Sequence, residues 1–268
     1  MSPSRPAPLA SLPASAARAV RGVLTDIDDT LTSDGAITPV ALAALADLRA
    51  AGLPVVAVTG RPMGWSEPFA RGWPIDAIVA ENGAVALFRD EQAALRVEYA
   101  QDESTRRING TRLQAAAQRV LREVPGARLA ADSAGRVTDI AVDHSEFAQL
   151  SPMRIAEVVA VMRGVGMNAT VSSIHVNGWY GDHDKLSGAR WIVRRLLGRD
   201  LDRESGHWVY VGDSTNDQLM FGHFPLSIGV ANLLHFAAQL TTWPAYLTVA
   251  ARGEGFAEVA RALLEARR

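Results

Sequence analysis

One run, Val23-Leu24-Thr25-Asp26-Ile27-Asp28-Asp29-Thr30-Leu31, constrains this chain more than any other. It opens as an apolar segment and breaks into aspartates. A short apolar run without polar alternation reads as a strand buried on both faces, the condition of parallel sheets covered by helices. Ligands of open α/β sheets bind outside the carboxyl ends of such strands, where Asp26 and Asp28 stand. Side chains two apart on extended chain point the same way, so both carboxylates face one crevice. Two carboxylates that close need a cation or a shared proton. The pattern therefore suits a nucleophile, an acid and a divalent metal.

The same sequence of strand and polar turn recurs along the chain. Val40–Ala51 is predicted to be a helix, with Thr38 as its cap, Pro39 in its first turn and Gly52 as its stop. Leu53–Val58 is a predicted strand ending at Thr59-Gly60-Arg61-Pro62, and Ile75–Ala80 another ending at Glu81-Asn82-Gly83-Ala84. Strand and helix in alternation indicate a right-handed parallel sheet. The pattern resumes with a helix over Lys185–Leu197 and a strand over His207–Val211, which ends at Gly212-Asp213-Ser214-Thr215-Asn216-Asp217. Ser227–Val230 and Ala245–Val249 are further candidate strands, and Phe256–Ala266 is a last helix.

Between these halves the texture changes. Val85–Phe88 and Leu95–Tyr99 read as paired strands, Thr105–Val124 and Pro152–Gly164 as helices, and Arg136–Val142 and Ala169–Val176 as strands. The expected architecture is α/β: a Rossmann-like parallel-sheet core with an inserted α/β cap domain. Residues 1–20, rich in Pro, Ala and Ser, read as a mobile tail, residues 21–84 and 178–268 as the core, and 85–177 as the cap.

Composition narrows the chemistry. The 268 residues contain no cysteine, so thiolate metal sites and disulfides are excluded and any metal is held by oxygen or imidazole. A net charge of -2 lacks the basic footprint of a nucleic-acid binder. No stretch has the length and apolarity of a membrane span or a signal peptide, and a cytoplasmic location is expected. Of the 27 basic residues only Lys185 is a lysine.

Topology brings Asp26 and Asp28, Thr59, Lys185, and Asp213 and Asp217 to one rim, and each suits phosphoryl transfer. Asp26 offers a nucleophilic carboxylate. Asp28 is placed to protonate a leaving oxygen and then to deprotonate water. Thr59 and nearby amides can bind phosphate oxygens, Lys185 can neutralise phosphate and carboxylate together, and Asp213 with Asp26 can hold Mg2+.

The run Asp26-Ile27-Asp28-Asp29-Thr30-Leu31, then Thr59-Gly60-Arg61, Lys185 and Gly212–Asp217, taken in order, resembles the four motifs of the haloacid dehalogenase superfamily. The intervening insertion, Glu81-Asn82-Gly83-Ala84 before it and Gly253-Glu254-Gly255-Phe256 near the end resemble the Cof-type branch, which includes sucrose-phosphatase-like and mannosyl-3-phosphoglycerate-phosphatase-like enzymes. That resemblance covers residues 20 to 266. It implies Asp26 as nucleophile and Asp28 as acid and base. It implies metal ligation by the Asp26 and Asp213 carboxylates and the Asp28 carbonyl, with Asp217 orienting Lys185 or a metal-bound water and Asn216 assisting. Thr59, Gly60, Arg61, Asn82, His175 and Lys185 are the candidate substrate contacts.

Blander readings exist for each group. Thr59 could cap the helix after Pro62, Asp217 could complement a helix dipole, and Lys185 could pair with Asp182 and Asp184 on the surface. Arg106, Arg107 and Arg112 read as a wet helix face, and Trp65, Trp73, Trp179 and Trp243 as packing. The expected function is a Mg2+-dependent phosphatase acting on a small phosphorylated sugar or sugar acid, as a monomer or small homo-oligomer with no nucleic-acid or membrane partner. A phosphomutase of phosphomannomutase type and a catalytically silent regulatory binding protein are the alternatives.

Overall fold

The computed structural model describes residues 5–268; residues 1–4 of the expected tail lie outside the described residues. Nine strands form one sheet in the spatial order Ala7–Pro8, Tyr246–Leu247, Leu226–Gly229, Trp208–Gly212, Gly22–Thr25, Val55–Val58, Ala77–Ala80, Val85–Arg89 and Leu95–Tyr99. The first seven run parallel, and the last two are added through antiparallel pairings. The central strands read as apolar runs because both their faces are covered. Ile27, Leu45 and Phe256 belong to the core on one side of the sheet, and Leu24, Ile192 and Trp208 to the core on the other.

Local chemistry starts two helices, and the second of them positions a site residue. The Pro39–Ala50 helix starts where the Thr38 hydroxyl accepts from the Ala41 amide at 3.2 Å. The Lys185–Leu197 helix starts with a reciprocal cap: Asp184 Oδ1 accepts from the Ser187 amide at 2.6 Å, and the Ser187 hydroxyl accepts from the Asp184 amide at 2.8 Å. Lys185 is thereby fixed in the first turn. Gly83, at φ +110°, lets the loop after Ala77–Ala80 touch that helix start, because a Cβ there would lie 2.0 Å from the Asp184 carbonyl oxygen.

A second, four-stranded antiparallel sheet runs in the order Asn168–Val171, His175–Trp179, Asp139–Asp143 and Arg128–Leu129. Helices Glu103–Glu123 and Pro152–Gly164 pack on it around Leu113, Val120, Val142, Val158, Met162 and Val176. The buried Glu81 carboxylate ties this body to the first sheet. It accepts from the amides of Met63, Val137 and Thr138, at 3.0, 3.1 and 2.6 Å, and from the Thr138 hydroxyl. Three amides thus find their acceptor in one carboxylate, as buried backbone donors require.

Three expectations are corrected. The stretch 5–20 is not a loose tail: Ala7–Pro8 adds an edge strand beside Tyr246–Leu247, Ala14–Ala19 is helical, and Leu9, Ala17 and Val20 are buried. Its small apolar residues fill the space against the last helix, a role that its Pro, Ala and Ser composition hides. Residues 85–99 do not join the inserted body. Val85–Arg89 pairs antiparallel with Ala77–Ala80, and Leu95–Tyr99 pairs with Val85–Arg89. The apolar run Val85–Phe88 is buried and finds cover only by extending the large sheet. Ala169–Val176 is two strands. Ser172 folds the chain back, its amide donating to the His175 carbonyl at 2.8 Å and its hydroxyl accepting from the His175 amide at 3.0 Å.

Candidate active site

Asp26 follows the Gly22–Thr25 strand, its amide donating to the Val211 carbonyl at 2.8 Å, so the sheet's hydrogen bonding carries the chain up to the acid. Lys185 Nζ bridges Asp26 Oδ1 at 2.8 Å and Asp217 Oδ1 at 2.7 Å, all three side chains buried. Asp213 stands beside them at the end of Trp208–Gly212. Oxygens of Asp26, Asp213 and Asp217 lie within 4.8 Å of one another. The structure thus brings Asp26, Lys185, Asp213 and Asp217 together at one rim.

Three carboxylates face one ammonium, which leaves a formal excess of two negative charges (three minus one). Burial pushes Asp26 up to about 7, with the Lys185 charge only partly offsetting it. Burial, then the Asp26 and Asp217 charges, raise Asp213 well above the carboxylate range. Burial also works against the Lys185 ammonium, but Asp217 and Asp26 outweigh it and hold Lys185 above its ordinary value. Such a cluster suits a dication.

The donor set is oxygen only, which suits a hard cation such as Mg2+. Not all three carboxylates are available to it. Asp217 Oδ1 is engaged by Lys185 and by the Tyr210 hydroxyl, and Oδ2 accepts from the amides of Asp213 and Ser214 at 2.9 and 3.1 Å. Asp217 therefore orients Lys185 and the 213–214 turn. Asp26 and Asp213 keep free lone pairs, Asp213 being held by Asn232 Nδ2 at 3.2 Å and by the Thr30 hydroxyl at 3.5 Å. Asn216 turns toward Ser214, whose hydroxyl donates to it at 2.8 Å.

Asp28 faces another partner. Arg61 Nε donates to its two oxygens at 2.9 and 3.1 Å, while the rest of the guanidinium reaches Asp132 at 3.1 Å and Glu146 at 2.7 Å on the second body. Burial raises Asp28, and Arg61 opposes that without cancelling it. His175, buried, sits 2.9 Å from Glu146 through Nε2. Arg61 and His175, named from sequence as substrate contacts, are here engaged with acids of the neighbouring body. Arg61 has five N–H groups in a fixed fork, and the acids already take its guanidinium on every side.

The Thr59-Gly60-Arg61 turn is closed by the Arg61 amide donating to Thr59 Oγ1 at 3.0 Å, and the Asn82 amide donates to the Thr59 carbonyl at 3.0 Å. The Gly60 carbonyl accepts from Arg136 at 2.9 Å and Asn177 at 3.2 Å. Asp29, Glu81 and Asn82 all adopt positive φ, +53°, +49° and +55°. Such strain gathered around one rim is typical of functional sites. Sequence reasoning missed Tyr210, Asn232, Asp132 and Glu146. Tyr210 was in reach, since it alternates with Trp208 on the strand leading to Asp213; Asp132 sits in a turn, Glu146 in a bend and Asn232 in the short helical stretch Ala231–Gln239, none of which carries a motif.

Residues 23–112 match the family model for haloacid dehalogenase-like hydrolases. No curated protein matches the chain by sequence. Among solved structures, the Thermoplasma acidophilum 0175 protein is 16% identical over 91% of this chain and 98% of its own, with a TM-score of 0.68. The Synechocystis sp. PCC6803 sucrose-phosphatase, solved with sucrose and phosphate, is 16% identical over 91% and 98%, with a TM-score of 0.63. The C-terminal domain of the C. albicans trehalose-6-phosphate phosphatase is 12% identical over 99% of both chains, with a TM-score of 0.66. At these identities the likeness is one of fold. The family match spans the 90 residues from 23 to 112, and the fold shared with these solved structures extends over nearly the whole chain.

Proposed function

We propose that this protein is a Mg2+-dependent phosphatase that cleaves a small phosphorylated sugar or sugar acid through an aspartyl-phosphate on Asp26. The observation that supports it most is the clamp on the nucleophile. Lys185 takes Asp26 Oδ1, which leaves Oδ2 to attack phosphorus. The P–O bond to the leaving group then breaks, and Asp28, raised by burial, gives its proton to the departing oxygen. Asp28 next takes a proton from water as that water attacks phosphorus. The bond to Asp26 breaks and phosphate leaves. Lys185 and the Thr59 turn neutralise and position the phosphoryl oxygens throughout. The Asp26 and Asp213 carboxylates with the Asp28 carbonyl would hold Mg2+, which when bound shields the approach of one anion to another. In this reading the body built on the second sheet is a cap that closes over the substrate and excludes bulk water.

Three measurements test the reading. Chelation by EDTA is expected to stop phosphate release from a generic aryl phosphate, and added Mg2+ to restore it. Mg2+ without substrate is expected to raise the melting temperature, because it relieves the buried excess of carboxylates. Activity unchanged in EDTA would refute the metal. Release of free phosphate from a sugar monophosphate separates a phosphatase from a phosphomutase, which passes the phosphoryl group to another sugar.

A further inference from the structure

A cavity of about 340 Å³ runs between the two bodies. One end is formed by buried Lys185, whose ammonium holds Asp26, by buried Asn82 and by half-buried Asn216. Its other end is formed by Arg163 and Asn168, both exposed at the edge of the second sheet. Met167, Ala169 and Trp179 supply an apolar wall. Two polar atoms of the lining are buried without a hydrogen-bond partner among the described residues, Asn82 Nδ2 and Thr170 Oγ1. Buried polar atoms are rarely left unpaired, and a hydroxylated ligand would satisfy both.

The charges of the cavity are one-sided. Lys185 and Arg163 are its cations, and Asp184 is its one acid. Asp184 is already engaged in capping the helix that starts at Lys185. Arg163 gives a single N–H, from Nη2, to the Ala169 carbonyl at 3.1 Å. The rest of its fork is open to a planar anion, and such pairs are best made by arginine with a carboxylate. The volume lies at the small end of ligand sites, which fits one compact metabolite and not an oligosaccharide.

Resting on the phosphatase reading above, we propose that this cavity is the leaving-group subsite and that Arg163 is its specificity-determining residue, selecting monophosphates whose leaving group carries hydroxyls and a second anion, a carboxylate, over neutral sugar or polyol phosphates. The phosphoryl group sits at Asp26 and Lys185, the hydroxyls pair with Asn82 and Thr170, and the carboxylate meets Arg163.

The test compares kcat/KM for matched pairs in the full chain with Mg2+: gluconate 6-phosphate against glucose 6-phosphate, and 3-phosphoglycerate against glycerol 3-phosphate. The wild-type protein is expected to favour the acid of each pair. Arg163→Gln is expected to cut that acid-to-neutral ratio by about ten- to a hundredfold, the worth of a charge-assisted contact, and Arg163→Lys to retain part of it. General damage to the fold would lower both members of a pair and leave their ratio alone. A ratio unmoved by Arg163→Gln, or a wild-type preference for the neutral members, overturns the subsite while leaving the phosphatase reading intact. No phosphate release from any of the four overturns the phosphatase reading and the subsite with it.

Discussion

Asp26→Asn is expected to lower turnover by at least about four orders of magnitude, on the scale of removing the nucleophile of a concerted catalytic set. An amide oxygen cannot form the acyl phosphate, and no neighbour replaces it. Asp28 is held by Arg61, and both oxygens of Asp217 are engaged. The same change removes one charge from a cluster with an excess of two, so stability is expected to hold or rise. Phosphate-release assays beside thermal melting check both halves. Normal turnover in this variant would refute covalent catalysis, and its failure to fold would refute the claim that repulsion strains this rim.

Lys185→Met should do the opposite to stability. It leaves Asp26, Asp213 and Asp217 buried together with no ammonium among them. Removing one partner from a buried ion pair costs about 3–5 kcal/mol, and a loss of that size is expected at neutral pH without metal. Mg2+ is expected to recover part of it, because the cation offsets the same charges, while activity stays lost since nothing orients Asp26 or the phosphoryl oxygens. Urea denaturation with and without Mg2+ measures the difference. A stability equal to wild type in both conditions would mean that the cluster is not electrostatically organised around Lys185.

The parallel half of the sheet was legible because both-face burial forces uninterrupted apolar runs, and each such run ended in a polar turn. Val23–Thr25 into Asp26, Val55–Val58 into Thr59 and Trp208–Gly212 into Asp213 all follow that rule. The sole lysine was placed at the rim because a helix was expected to start with it; the Asp184–Ser187 cap that fixes Lys185 there emerges only in the structure.

The failures share a cause as well. Val85–Phe88 is as apolar as its parallel neighbours, and nothing local says whether a hairpin extends one sheet or begins another; the choice is made by pairing with Ala77–Ala80, a tertiary event. The Pro- and Ala-rich start is ordered by what it packs against, not by its own propensity. Arg61 sits in a recognisable turn, but its partners Asp132 and Glu146 are 71 and 85 residues away in loops. Only the fold brings them together, so the link from Asp28 through Arg61 to the neighbouring body could not be read from the turn itself.

The most direct test of the account is chemical trapping of the acyl phosphate. Enzyme turning over a phosphomonoester with Mg2+ is quenched in acid and reduced with borohydride, which converts a phosphorylated aspartate to homoserine, and the digest is read by mass spectrometry. Asp28→Asn, which slows attack by water, raises the trapped fraction. The account predicts homoserine at position 26 and at no other aspartate. Homoserine at another position, or none in an actively turning-over enzyme, would contradict it.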